Sequence, residues 1–287
     1  MTLAIWANAL LTVAQVIGGI LSGSLALVAD ALHNFSDMAS LVIALAARKI
    51  ARRPADERMT FGYGRIEIVA ALINYTTLIV VGVYLVYEGI MRLIEPSEVA
   101  GWTVVILGAV ALVIDAFTVV LTFKMQRDSV NIRAMFLHNL SDALASVAVV
   151  CGGILIILYD IRWIDPAITL AIAAYILYLA AIEIGGPVRT LMLGSPPDMD
   201  PAAVLATIRA VDGVEDVHHV HLWQMQEHEV ALDCHIVVPP HRLGEVDAIK
   251  GAIKRAIAAA HGIGHSTLEF ESEPCEAGDM PVFGHAG

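Results

Sequence analysis

Residues 29–40, ADALHNFSDMAS, place Asp30, His33 and Asp37 in the middle of a stretch whose flanks are apolar enough to cross a bilayer. Residues 137–146, LHNLSDALAS, repeat the pattern, with His138 and Asp142 at the same offset. Ionisable groups inside a span are costly and usually functional, so a duplicated His-x-x-x-Asp decides the reading. On a helix, residues four apart share one face about a turn apart. His33 and Asp37 thus present an imidazole and a carboxylate to one neighbour, and His138 and Asp142 do the same.

The surrounding composition fits a membrane protein. The chain has 287 residues, 57% of them apolar and 16% charged, where soluble domains are about 45–50% apolar. A span needs roughly 20 mostly apolar residues, and six segments qualify: 3–21, 25–47, 66–94, 102–123, 130–159 and 164–184. The third and fifth exceed that length, which implies tilt or projection beyond the bilayer. The start, MTLAIWANALLTVAQVIGG, lacks a basic leader and reads as a retained span rather than a cleaved signal. Met1 lies at the edge of that span, which leaves room for a longer native N-terminus.

Basic residues set the expected orientation. The connection after span two holds Arg48, Lys49, Arg52, Arg53, Arg58 and Arg65, and the one after span four holds Lys124, Arg127 and Arg133. The alternate connections have Arg92 and Arg162, each beside acids. Spans two and three, and four and five, are therefore expected to meet on the cytoplasmic side, with both termini cytoplasmic.

GSPPDMDP, residues 194–201, reads as a linker, dividing a transmembrane domain, 1–194, from a cytosolic domain, 195–287. Beyond it the pattern is α+β in the order αββαβ. PAAVLATIRAV and GEVDAIKGAIKRAIAAAH read as helices; EDVHHVHLWQM, EVALDCHIVV and HSTLEFES read as strands. In the second strand Val230, Leu232, Cys234, Ile236 and Val238 alternate onto one face, leaving Asp233 and His235 on the other. From Ser195 onward there are 15 acidic and 5 basic residues, about 10 of the 12 net negative charges, and nine of the eleven histidines. Such a balance argues against a nucleic-acid partner, which needs clustered Lys and Arg. Cys151, Cys234 and Cys275 are far apart and form neither a disulfide framework nor a thiolate zinc site.

Spans two and five differ by an odd number, so they run antiparallel. Side by side, His33 comes level with Asp142 and Asp37 with His138. Two imidazoles and two carboxylates suit tetrahedral Zn²⁺ at about 2.0–2.2 Å, and two aspartates neutralise one dication. The competing reading, hydrogen bonding between helices, suits Asn34, Ser36, Asn139 and Ser141 better than these four together. Small neighbours (Ala29, Ala31, Ala39, Ser40, Ala143, Ala145, Ser146) would permit close helix approach. Asp30 shares the face of His33 and Asp37; it reads either as a group supporting the site or as a water-exposed residue at its mouth. Asp115 either pairs with a neighbouring helix or relays protons. Glu67 and Glu88 are expected near the membrane interfaces.

On these residues the chain resembles the cation diffusion facilitators, a family of divalent-metal/proton antiporters. The likeness covers nearly the whole chain, through SGSLALVADALHNFSD, FGYGRIEIVAALIN, HNLSDALAS and the acidic tail with its HVHLW strand. It implies a homodimer that exports Zn²⁺ from the cytoplasm, in a bacterial inner membrane, with a ferredoxin-like, metallochaperone-like cytosolic domain. The His-Asp/His-Asp set is similar to that of zinc-preferring members, with Cd²⁺ and Co²⁺ as other candidate cargo. Some relatives carry a further site after span two that uses His. Here Met59 and Tyr63 stand near FGYG with only Asp56, so that site is not expected. Arg65 matches a basic position that in relatives pairs with an acid near the tail junction. Asp198 or Asp200 could serve; a plain positive-inside anchor serves equally.

In the tail the resemblance makes His235 the foremost metal ligand, with Glu271 and either His218 or His221. Each also reads as a solvated strand residue, and His261, His265 and His285 read as surface. A strongly acidic tail repels its copy across a dimer, so Zn²⁺ bound between protomers would draw the tails together and act as a regulator. Ligation needs neutral imidazole and ionised carboxylate, so metal loading expels protons. The expected cycle is zinc loading from the cytoplasm, rocking of helices within the lipid, and displacement by external protons. Two other classes compete: a metal sensor without transport, and an intramembrane metal-dependent hydrolase. The hydrolase would need an open coordination position and a general base; no HExxH is present and four ligands close the shell, so the chain is not expected to be an enzyme.

Overall fold

The computed structural model describes residues 2–123, 130–226, 229–272 and 282–283. Six long helices take the six apolar segments: α1 (Thr2–Ser22), α2 (Leu25–Ala51), α3 (Ile66–Ile94), α4 (Gly101–Phe123), α5 (Val130–Tyr159) and α6 (Ile164–Glu183). A short α7 (Gly185–Leu191) follows directly. Among the described residues four stretches are long and apolar enough to cross a membrane: Ile66–Ile94, Gly101–Val120, Asn139–Tyr159 and Ile164–Leu191. α2 falls short because Asp30, His33, Asn34 and Asp37 dilute its apolar content.

The chain divides into two compact units, Met1–Leu45 with Ile73–Ile184, and Ala46–Leu72 with Gly185–Gly287. In the first, α4 packs along α1 and α5. Glycines set how close α4 and α5 come: a β-carbon at Gly153 would lie 2.8 Å from Val105 Cγ2, and one at Gly108 3.0 Å from Val150 Cγ2. Small residues at such crossings are how helices associate in lipid, where burial of apolar surface offers no drive. Leu27, Ala29, Leu85, Val104, Val149 and Ile176 form the buried centre, while Val80, Ile106, Val113 and Phe117 stay exposed where acyl chains would cover them.

The N-terminus of α2 is fixed from a distance. Ser24 Oγ donates to Asp165 Oδ1 at 2.5 Å, and the Leu25 and Ala26 amides donate to Asp165 Oδ2 at 2.8 and 3.4 Å. Ser24 Oγ also accepts from the Leu27 amide at 3.1 Å. Three of the amides that any helix start leaves without intrahelical partners are thereby satisfied in a buried place.

The second unit contains α8 (Pro201–Arg209), β1 (Asp216–Gln226), β2 (Glu229–Val237), a 3-10 turn (Pro240–Glu245), α9 (Val246–His261) and β3 (His265–Glu271). The helices and strands expected from the sequence are all present; the 3-10 turn adds to them, and the β1–β2 turn at Glu227-His228 lies outside the described residues. The sheet runs β1-β2-β3, antiparallel between β1 and β2 and parallel between β2 and β3. Val204 and Ile208 from α8 and Ile249, Ile253 and Ile257 from α9 cover one face, meeting Val217, Leu222, Leu232, Cys234 and Ile236. Burial pushes the Cys234 thiol up to about 12, so it stays protonated and apolar in character.

Asp200 caps α8, its Oδ1 accepting from the Ala202 amide at 2.9 Å. Arg65 donates from Nε to the Met225 carbonyl at 3.0 Å; among the described residues it forms no ion pair with Asp198 or Asp200. Asp56 organises its loop: it accepts from the Arg58 and Met59 amides at 2.9 Å each and from Tyr63 Oη at 2.7 Å. Those bonds hold its carboxyl below the usual range, the Tyr63 bond foremost. The outer edge of β1 is covered rather than open. Gln224 N donates to Gly194 O at 3.2 Å, Ser195 Oγ to Leu222 O at 3.0 Å, and Val220 N to Val282 O at 2.9 Å.

Candidate functional site

In the helical unit α2 and α5 meet at the duplicated motif. His33 Nε2 lies 3.2 Å from Asp142 Oδ1 and 3.6 Å from Asp37 Oδ2. One ligand atom from each of His33, Asp37 and Asp142 lies within 4.8 Å of the others, a spacing that one cation could bridge. His33 is buried. It lies opposite Asp142, the level at which antiparallel pairing of the two helices would place it. His138 falls one turn before Asp142 on α5, but its side chain lies outside the described residues.

Further polar groups support this cluster. Asp30 is 2% exposed, which overturns the water-facing alternative, and its Oδ2 accepts from Gln15 Nε2 on α1 at 2.7 Å. Asn34 Nδ2 reaches Gln15 Oε1 at 3.5 Å. Asp115 on α4 accepts from Ser146 Oγ on α5 at 2.7 Å, one turn beyond Asp142, which is pairing with a neighbouring helix. Ser40 donates back to the Ser36 carbonyl at 2.6 Å and also bonds Asn74 of α3. Gln15 and Asp165 are absent from the sequence-based candidates, and Ser146 is among them only as a small residue that permits close helix approach. A single Gln or Ser in an apolar helix carries no periodic signal, and Asp165 lies within a stretch that reads simply as a span start.

In the other unit the sheet face opposite α8 and α9 carries a second cluster. His235 Nδ1 lies 2.5 Å from Glu271 Oε1, and His218 Nε2 3.5 Å from Glu271 Oε2. His235 Nε2 is also 3.5 Å from Glu269 Oε2. His218, His235 and Glu271 can each offer one atom within a 4.8 Å group. His218 reaches it because β1 is not regular: His218 pairs with His235 and His221 with Asp233, three steps on β1 against two on β2. That bulge puts His218 and His221 on one face, where an even strand would have opposed them. His221 is not in the His235–Glu271 group; its Nε2 lies 3.3 Å from His219 Nε2. His261 bonds Thr207 Oγ1 at 2.8 Å, and His265 sets its ring edge-on to Phe61. His285 and Cys275 lie outside the described residues.

Comparison with known proteins gives matches along almost the whole length. The family model described as the cation efflux transmembrane domain matches residues 1–192, and that of the cation efflux protein cytoplasmic domain matches residues 196–273. The metal cation efflux system protein CzcD of Cupriavidus metallidurans is 35% identical over 93% of this chain and 84% of its own. The cadmium, cobalt and zinc/H(+)-K(+) antiporter of Bacillus subtilis is 34% identical over 90% of this chain and 84% of its own. The zinc transporter ZitB of Escherichia coli is 33% identical, covering 92% and 84%.

Proposed function

This chain belongs to the cation efflux family of membrane metal transporters, the cation diffusion facilitators, and from that premise we propose that it exchanges cytoplasmic Zn²⁺ for external protons. The single observation that carries the reading is the convergence of His33, Asp37 and Asp142 from two helices inside the membrane unit. With His138 as the fourth ligand, the set is two imidazoles and two carboxylates, the tetrahedral donor set that Zn²⁺ takes. Cd²⁺ and Co²⁺ are the alternative cargo, since those metals appear in the name of a relative.

Charge drives the proposed cycle. With metal bound, the two aspartates balance the dication. Once it leaves, two carboxylates in low dielectric are costly unless protons or cations return. Protonation of the histidines or of a carboxylate from outside relieves that cost and disfavours rebinding. The helices then reopen inward, protons leave, and the site reloads. Asp30, tied to Gln15, and Asp115, tied to Ser146, hold polar groups beside the cage without entering it.

The tail is proposed as a regulatory, dimer-forming domain from about residue 195, both termini cytoplasmic, in a bacterial inner membrane. His218, His235 and Glu271 would hold a metal there, and its binding would offset repulsion between two acidic tails. Reconstituted in liposomes, the protein should move ⁶⁵Zn²⁺ against an inward proton gradient. Asp142→Ala should abolish that flux while leaving the oligomer intact. Full flux in Asp142→Ala, or none in the unaltered protein under any gradient, would overturn the reading; the latter would favour a sensor.

A further inference from the structure

Within the second unit, the α2–α3 connection and the C-terminal end of β1 enclose a cavity of about 540 Å³. Arg58 and Arg65 line it, and its walls include Phe61, Ile66, Val69, Trp223 and Met225. Ile66 and Val69 belong to the first turn of α3, a helix long and apolar enough to cross a membrane. Chain continuity therefore puts this end of the cavity at a membrane surface, the level where aromatic and basic side chains concentrate.

The loop around the cavity is held in place. Asp56 accepts from the Arg58 and Met59 amides and from Tyr63 Oη, which fixes the turn and occupies its carboxylate. Gly64 runs against Gln226 so closely that a β-carbon there would collide with that side chain. The Nε of Arg65 is bound to the Met225 carbonyl. Among the described residues neither Arg58 nor Arg65 forms an ion pair. Residues 46–65 hold six basic and two acidic residues, so the connection as a whole favours an anion. Two guanidiniums suit a phosphate group in particular. The apolar walls offer a free phosphate no further donors, but they would bury hydrocarbon at a gain. A ligand with both parts, a charged phosphate and acyl carbons, satisfies both halves of the cavity.

We propose that this cavity binds the head of an anionic phospholipid from the cytoplasmic leaflet. Arg58 and Arg65 hold the phosphodiester, and the glycerol and first acyl carbons lie along Phe61, Trp223 and Met225. The volume is within the range of about 300–1,000 Å³ that small-molecule sites occupy, so the rest of the chains leave beside α3. Clustered basic residues next to a span attract such lipids. The inference takes only the membrane orientation from the reading above and nothing from the zinc cycle. A lipid count in detergent is blind to both, so either can fail alone.

The test is native mass spectrometry of the delipidated full-length protein in neutral detergent, titrated with phosphatidylglycerol or phosphatidylcholine. Phosphatidylglycerol should fill one site per protomer about tenfold more tightly than phosphatidylcholine, and millimolar inorganic phosphate should not displace it. Arg58→Gln and Arg65→Gln should each weaken that site about fivefold or more. Arg48→Gln, in the same basic stretch but outside the cavity, should leave it unchanged. A second readout locates the lipid: at one lipid per protomer, brominated acyl chains should quench tryptophan emission, and the quenching should vanish in Trp223→Phe. Equal affinity for the two lipids, unaltered affinity in Arg58→Gln, an equal loss in Arg48→Gln, or quenching that persists in Trp223→Phe would overturn the proposal. So would displacement by phosphate, which would mark a site for a free anion.

Discussion

Asp165, at the start of α6, satisfies Ser24 and two amides at the start of α2 across 141, 140 and 139 positions of sequence. Removing a buried acceptor leaves its donors unpaired at about 1–3 kcal/mol. Asp165→Ala should therefore lower the thermal unfolding midpoint in detergent, and an unchanged midpoint would mean that the α2 start is held otherwise. Nothing in the sequence marks Asp165, since its partners are remote and its own span reads as ordinary. His33 and Asp142 are legible in a way that Asp165 is not, although 109 residues separate them. Each belongs to a His-x-x-x-Asp unit whose internal spacing fixes a helical face, and antiparallel pairing then fixes the register. Gln15 and Ser146 fall between these cases: their donors are needed by Asp30 and Asp115, but only coordinates say which helix supplies them.

At the scale of elements, the contact of α4 with α5 is set by backbone proximity at Gly108 and Gly153. Gly153→Leu would force a side chain against Val104 and Val105, and overpacking of this kind costs about 1–3 kcal/mol. The expected outcome is a lower unfolding midpoint and reduced zinc flux, because α5 carries Asp142. Normal flux at an unchanged midpoint would mean that α4 can yield without moving α5. The same scale explains where strand reading ran out. Alternation placed Val230 to Val238 on the inner face of β2, and those that are buried line the core as alternation requires. For β1 alternation fails at His219, whose positive φ inserts an extra residue. A bulge depends on backbone angles that a row of histidines does not disclose, so the grouping of His218 with His235, and of His219 with His221, emerges only in three dimensions.

At the scale of the whole molecule, charge is segregated: the stretch from Ser195 holds 15 acidic against 5 basic residues. Two such tails in a dimer repel, more strongly at low ionic strength. Zinc titration of a dimer labelled on the exposed face of α9 should shorten the distance between labels, and the shortening should vanish in His235→Ala. A separation indifferent to zinc would remove the regulatory role while leaving transport untouched. The central claim is that one ion is held by His33, Asp37, His138 and Asp142 together. Zinc K-edge X-ray absorption on the full-length protein, with His218→Ala and His235→Ala to clear the tail cluster, reads that shell directly. The account predicts two imidazole nitrogens and two carboxylate oxygens at about 2.0–2.1 Å, and one imidazole fewer in His138→Ala. A six-oxygen shell, or two imidazoles persisting in His138→Ala, would contradict it.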